Sequence, residues 1–198
     1  LVFDESVVGD MSIKGADGGT LYLQTSDTEV EDNEVLGKIA FQAPNEAGGT
    51  DAILIGASIH GEAEDTFAND NNSTGLVFST NTSAAATERM RITSGGNVGI
   101  GTSAPVGNLF IKSDLDAADD ASMDKFAINI VNEANDANEE VGIGFRISDS
   151  TPFANYSPGG AITFERTGST SQGQIHLKAK GSTSALSLTT AMTIDATS

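Results

Sequence analysis

The chain contains no cysteine and no tryptophan, only four prolines and two tyrosines in 198 residues, and ten basic side chains against 28 acidic ones. Without cysteine there is no disulfide framework and no thiolate for catalysis or metal ligation, and the redox compartment leaves no mark on the sequence. The formal charge of −18 works against nucleic acid phosphates and anionic membrane surfaces as partners, because both attract Lys and Arg. No apolar run is long enough to insert into a bilayer, and the first residues lack a basic-then-apolar leader. Large apolar side chains are scarce too. Leu, Ile, Val and Phe together make 45 of the 198 residues, just above the roughly one-fifth at which disorder becomes the default. A single chain so poor in bulk builds a thin core, and burying the same faces against copies of itself relieves the shortage. The acidic balance suits a long exposed rod that must stay soluble. The chain starts at Leu1 rather than Met, which reads as a piece of a longer polypeptide.

What is present is a succession of short alternating runs separated by Gly, Asn, Ser, Thr and Asp, the pattern of an all-β protein. The runs are written twice. Met11-Ser12-Ile13-Lys14 matches Leu109-Phe110-Ile111-Lys112, and Leu21-Tyr22-Leu23 matches the expected strand Phe126–Ile130. Gly37–Phe41 matches Val141–Phe145, and Ala52–His60 matches Ala161–Glu165. Gly75–Phe78 matches Gly173–Leu177, and Met90-Arg91-Ile92 matches Met192-Thr193-Ile194. Strands that return in one order at a spacing of about 100 residues predict two tandem β-repeats forming an elongated segment. The chain divides on this reading into a connecting segment (residues 1–8), a first repeat (9–105) and a second repeat (106–198). Helix signals are confined to Asp114–Asp124, whose Ala content allows a turn or two of helix but whose few apolar residues suit a solvated loop equally. In each repeat one strand face gathers the bulk: Ile39 with Phe41 and Met90 with Ile92 in the first, Ile143 with Phe145 and Met192 with Ile194 in the second. These eight residues are the candidate shared core of an oligomer.

The most distinctive stretch is Glu88–Pro105, with the sequence ERMRITSGGNVGIGTSAP. Met90 and Ile92 share one face of an extended segment, and Arg89 and Arg91 share the other. Two of the ten bases in three residues are expected to act as interface pins, pairing with carboxylates or carbonyls of a neighbouring strand or protomer; the alternative is two plain surface arginines. Ser94, Gly95, Gly96 and Asn97 tolerate positive φ and predict a tight turn. Val98 and Ile100 then alternate with Gly99 and Gly101, leaving a bare face that another backbone can approach closely.

This stretch resembles a signature of bacteriophage tail-fibre and related virion fibre proteins, many of them from marine phages. The likeness continues more loosely upstream through Gly75–Thr80 and through residues 53–65. The resemblance implies a homotrimeric, β-rich fibre segment used for host attachment and located on the virion. Its implied partners are two further copies of the chain, other virion or tail proteins, and a host surface glycan or protein. It implies no catalytic residue. The second copy departs from the signature: Ala191 and Thr193 stand in place of Arg89 and Arg91, and no glycine stretch follows Asp195.

Other chemistry finds little support. Gly99-x-Gly101-x-x-Ala104 fits a loose dinucleotide loop, but no βαβ unit surrounds it. His60 and His176 are the only histidines, lack metal-binding spacing, fall on different strands of the duplicated alignment and read as partly exposed. A threefold axis bringing three copies of one histidine together would be their route to an ion. The acidic runs Glu62–Asp65, Asp114–Asp120 and Asp136–Glu140 lack the ligand spacing of a calcium loop and read as solvated. Paired carboxylates suited to glycan cleavage occur by chance among 28 acids, and no tryptophan is present to stack a sugar. No catalytic residue, cofactor or metal ligand is therefore assigned. The expected function is a non-enzymatic shaft or spacer of a host-attachment fibre, with recognition in loops such as Glu62–Asn72 and Ser148–Gly159. A bacterial surface filament or adhesin repeat is the second reading, and a polysaccharide depolymerase tail spike the third.

Overall fold

The computed structural model of the chain describes residues 13–42, 50–113, 126–133, 138–146, 159–167, 173–181 and 188–195. These residues are all-β, with no helix among them. Asp114–Asp124, the loop Ser148–Gly159 and the first expected strand of repeat one fall largely outside them. The chain divides into two compact units, Leu1–Asp116 and Ala117–Ser198.

The first unit holds one six-stranded sheet in the order β1 (Val35–Gln42), β2 (Ile55–Ala63), β3 (Thr74–Thr80), β4 (Thr87–Ile92), β5 (Val98–Ile100) and β6 (Leu109–Ile111). Strands β1 to β5 are an antiparallel meander, and β6 adds in parallel to β5. The second unit holds a four-stranded antiparallel meander of β7 (Glu140–Phe145), β8 (Gly160–Arg166), β9 (Gly173–Ala179) and β10 (Thr189–Asp195).

The two meanders repeat one plan along their central rows. The transverse row Ile39–Ile59–Phe78–Met90 of the first sheet corresponds to Ile143–Ile162–Leu177–Met192 of the second. The neighbouring row on the other face is Lys38–His60–Val77–Arg91 in one and Gly142–Thr163–His176–Thr193 in the other. One irregularity recurs, while the two register shifts of β1 against β2 have no counterpart between β7 and β8. The fourth strand slips register by one residue at Arg89 in β4 and at Ala191 in β10, each a β-bulge that leaves one residue unopposed. An asparagine with positive φ opens each meander, Asn33 at 67° and Asn138 at 69°. Its amide donates to the last residue of the second strand, Ala63 (2.8 Å) or Arg166 (2.9 Å). Asparagine suits the position because its short polar side chain tolerates the left-handed region.

Two strands expected from alternation do not form. Leu21–Leu23 and Phe126–Ile130 join no ladder, and their large apolar side chains stay exposed. Alternation marks a surface that can pack as a sheet face; it does not supply the edge to pair with.

The glycine stretch has a compact explanation. Thr93 to Asn97 close the β4–β5 turn, with Gly96 at φ 82° and the Asn97 carbonyl accepting from the Thr93 amide at 2.9 Å. After β5 the chain reverses at Gly101 (φ 72°), whose amide donates to the Arg89 carbonyl at 2.9 Å. It then folds back across β5, so that a Cβ at Gly99 would lie 2.6 Å from the Thr102 carbonyl oxygen and 3.4 Å from the Pro105 ring. That return lets β6 lie parallel to β5 after only a short crossover, with the Lys112 amide donating to the Ile100 carbonyl at 2.9 Å.

These glycines make different predictions. A Cβ at Gly101 would sit 2.1 Å from the Lys112 carbonyl oxygen, whereas one at Gly96 meets nothing. Gly96→Ala is expected to cost about 1–2 kcal/mol through its backbone angle alone. Gly101→Ala adds the collision and should cost clearly more and detach β6. Urea midpoints of the two variants compare them, and equal midpoints would contradict the crossover geometry.

Candidate functional site

The polar face of the first sheet is centred on Arg91, which is only 9% exposed. The bulge explains its surroundings. Residues three apart on a regular strand face opposite sides, but the unopposed Arg89 turns Glu88 onto the face of Arg91. Glu88 then takes both Nε (2.7 Å) and Nη2 (2.6 Å) of the guanidinium. From β4 the same guanidinium crosses Val77, which is 1% exposed, and reaches Glu62 Oε1 on β2 at 3.0 Å. Glu64 completes the set, with Oε1 at 3.7 Å from Nη1 and Oε2 accepting the Ser94 amide at 2.8 Å. The hydrogen bond to Glu88 holds the Arg91 proton more firmly than in a free arginine, and only partial desolvation opposes it. His60 lies buried beside this group, with Nε2 3.6 Å from Glu62 Oε2. A shallow polar cavity of about 290 Å³ opens over Arg91 between Asn33, Glu64, Ser103 and Pro105. Three carboxylates on one cation leave no positive charge for an anionic ligand, so the arrangement acts as a clamp across three strands.

In the second sheet the clamp is rebuilt from other residues. Glu165 occupies the register position of Glu62, but Thr193 stands where Arg91 does. The partner of that carboxylate moves one strand over to His176, whose Nε2 lies 2.9 Å from Glu165 Oε2 and whose Nδ1 lies 3.1 Å from Thr193 Oγ1. Lys178 contacts Glu140 alongside.

Each residue singled out from the sequence has a definite place. Ile39, Phe41, Met90 and Ile92 line the opposite face of the first sheet, joined in register by Leu76, Phe78, Val98 and Ile100. Ile143, Phe145, Met192 and Ile194 line the corresponding face of the second. Ile39 and Phe41 keep 47% and 55% of their surface exposed, and Ile143 and Phe145 keep 51% and 52%. Arg91 finds its carboxylates within its own chain, while Arg89 is exposed at the bulge. Gly95, Gly96 and Asn97 form the β4–β5 turn, and Gly99 and Gly101 carry the crossover. Both histidines are buried rather than partly exposed, because they share the central transverse row of the polar face, each with a glutamate close to its ring, Glu62 or Glu165. Glu62 and Ala63 belong to β2 and not to the loop assigned to them from sequence. The loop beyond ties itself down: Asn71 Nδ2 donates to Asp65 Oδ2 and to the Thr66 carbonyl, both at 3.1 Å. Sequence reasoning missed the roles of Glu62, Glu64 and Glu88. The Glu-Ala-Glu alternation at 62–64 carried a usable signal for the first two; the bulge that recruits Glu88 carried none.

No family model matches the chain, and no curated protein matches it. Among solved structures, the chain is similar to the carboxy-terminal domain of the bacteriophage T5 L-shaped tail fibre, seen with its intramolecular chaperone domain and also in a structure of the domain itself. Each match has 13% identity, a TM-score of 0.38 and 94% coverage of this chain. The chain spans 60% of the length of the first and 87% of the second.

Arg91→Met leaves Glu62, Glu64 and Glu88 facing one another without a cation. The expected loss is about 3–5 kcal/mol, as for other broken buried pairs, measured by urea unfolding. Adding Glu88→Gln and Glu62→Gln to that variant should restore a large part. Equal stability of wild type and Arg91→Met would show that the clamp contributes nothing.

Proposed function

We propose that the chain is a non-enzymatic structural segment of a virion fibre, a shaft or spacer of a host-attachment fibre, and that it works as a homotrimer. The observation that supports this most directly is the exposed apolar face carried by both sheets. Ion pairs within the chain engage the polar face of each, while the row of Ile, Phe, Leu and Met opposite keeps exposed members such as Ile39, Phe41, Ile143 and Met192. Contiguous apolar surface of this kind marks an interaction site. Completing the burial of a half-exposed Ile or Phe contributes about 1 kcal/mol, and the same positions recur in both repeats. A second copy of the chain presents the matching surface by symmetry, so no foreign partner is needed. The number of three, the virion location and the attachment role rest on the resemblance of Glu88–Pro105 to phage fibre proteins. Self-assembly through these faces also ties strands of different protomers together, which gives a fibre the stiffness to transmit load. Contacts to a host glycan or protein would fall to the loops, where side chains vary without cost to the ladders.

Light scattering on the purified chain should return three chain masses. Met90→Asp or Met192→Asp places three like charges at one level of the shared core, and each variant should lose the trimer. A monomeric wild type, or aspartate variants that remain trimeric and fully folded, would overturn the shared core. Mass spectrometry of purified phage particles tests the virion assignment separately.

A further inference from the structure

We propose that Glu140, Glu165 and His176 form a binding site for a divalent transition-metal ion of the zinc class. The three residues come from β7, β8 and β9 and meet on the polar face of the second sheet, where their ligand atoms all lie within 4.8 Å of one another. Two oxygens and one imidazole nitrogen are a donor set that holds zinc, cobalt or nickel, and the nitrogen disfavours calcium and magnesium.

The state of His176 points the same way. The residue is 6% exposed, and its Nε2 is buried with no hydrogen-bond partner of acceptable angle, although Glu165 Oε2 lies 2.9 Å away. Its Nδ1 faces Thr193 Oγ1 at 3.1 Å. An outer hydrogen bond on one ring nitrogen fixes the tautomer and aims the other at an ion, the usual support for a ligating histidine. A recess of about 490 Å³ lined by Glu140, Gly142, Thr163 and Lys178 reaches the group at one of its three ligands, Glu140. Gly142 is itself closely packed, since a Cβ there would lie 2.3 Å from the Ile162 carbonyl oxygen and 2.7 Å from Thr163 Cγ2.

Lys178 is the competitor. Its ammonium contacts Glu140 and must swing away or share that carboxylate when the ion enters. The first sheet cannot form the site. There the register positions of Glu140, His176 and Thr193 hold residues of β1, Val77 and Arg91, and the guanidinium occupies the carboxylates. The proposal therefore belongs to the second unit alone and is independent of trimerisation.

The test uses the full 198-residue chain after removal of metal by a chelator. Cobalt(II) is titrated with detection of its visible d–d absorption, and zinc is titrated by calorimetry. One cobalt per chain is expected, displaced by zinc and not by the same concentration of calcium. Glu165→Gln keeps the size of the side chain and should weaken binding at least about tenfold, as should His176→Ala. Lys178→Met should bind at least as tightly as wild type. Circular dichroism on Glu165→Gln separates a lost ligand from a lost fold. Absence of a d–d band in wild type, displacement of cobalt by calcium, or undiminished binding in a folded Glu165→Gln would each overturn the site.

Discussion

Arg91 reaches over Val77 from β4 to a carboxylate on β2, and the pairs so formed lock three strands in one register. Everything else on the first sheet follows from that anchoring. A charge this deeply placed is tolerated only when it is paired and hydrogen-bonded, and three glutamates and a bulge supply that here. Because the polar face is closed from within, the opposite face is free to carry the apolar rows unbroken from β1 to β6. The usual division of a sheet, apolar side inward and polar side to water, is thus turned round in the single chain. Its most deeply buried titratable groups lie on the polar face, and its largest apolar side chains lie toward solvent.

The second sheet shows which parts of this scheme are fixed and which are exchangeable. The apolar rows, the bulge, the opening asparagine and the carboxylate on the second strand recur at matching register positions. The cation does not. Arg91 gives way to Thr193, and His176 and Lys178 take up the carboxylates from the neighbouring strand. A permanently charged guanidinium is thereby replaced by an imidazole set between Glu165 and Thr193. One architecture keeps a locked polar face in its first copy and an adaptable one in its second.

Much of this was legible in the residues. Period-2 alternation placed Ile39 with Phe41, Met90 with Ile92 and their counterparts on shared faces, and the two-fold writing of the chain exposed the repeated meander. The bare side of Gly99 marks the close approach of the Thr102 backbone. Three things were not legible, each for a physical reason. Leu21–Leu23 and Phe126–Ile130 alternate like strands, but alternation describes one surface and is silent on the partner. The cluster at Arg91 assembles groups up to 29 residues apart, which only the register brings together. The burial of the histidines depends on which side chains the register sets around them, a property of no local window.

The slip at Arg89 and Ala191 is the smallest of the shared features. The occupant of the position is free to change, since one copy carries a long cation there and the other a methyl group, but the position itself cannot be deleted. Removing it would rotate the preceding half of the fourth strand by half a pleat and send Glu88 to the greasy side. Such repeats can drift widely in composition while holding their residue count, and insertions of single residues, more than exchanges, are what would separate working copies from broken ones.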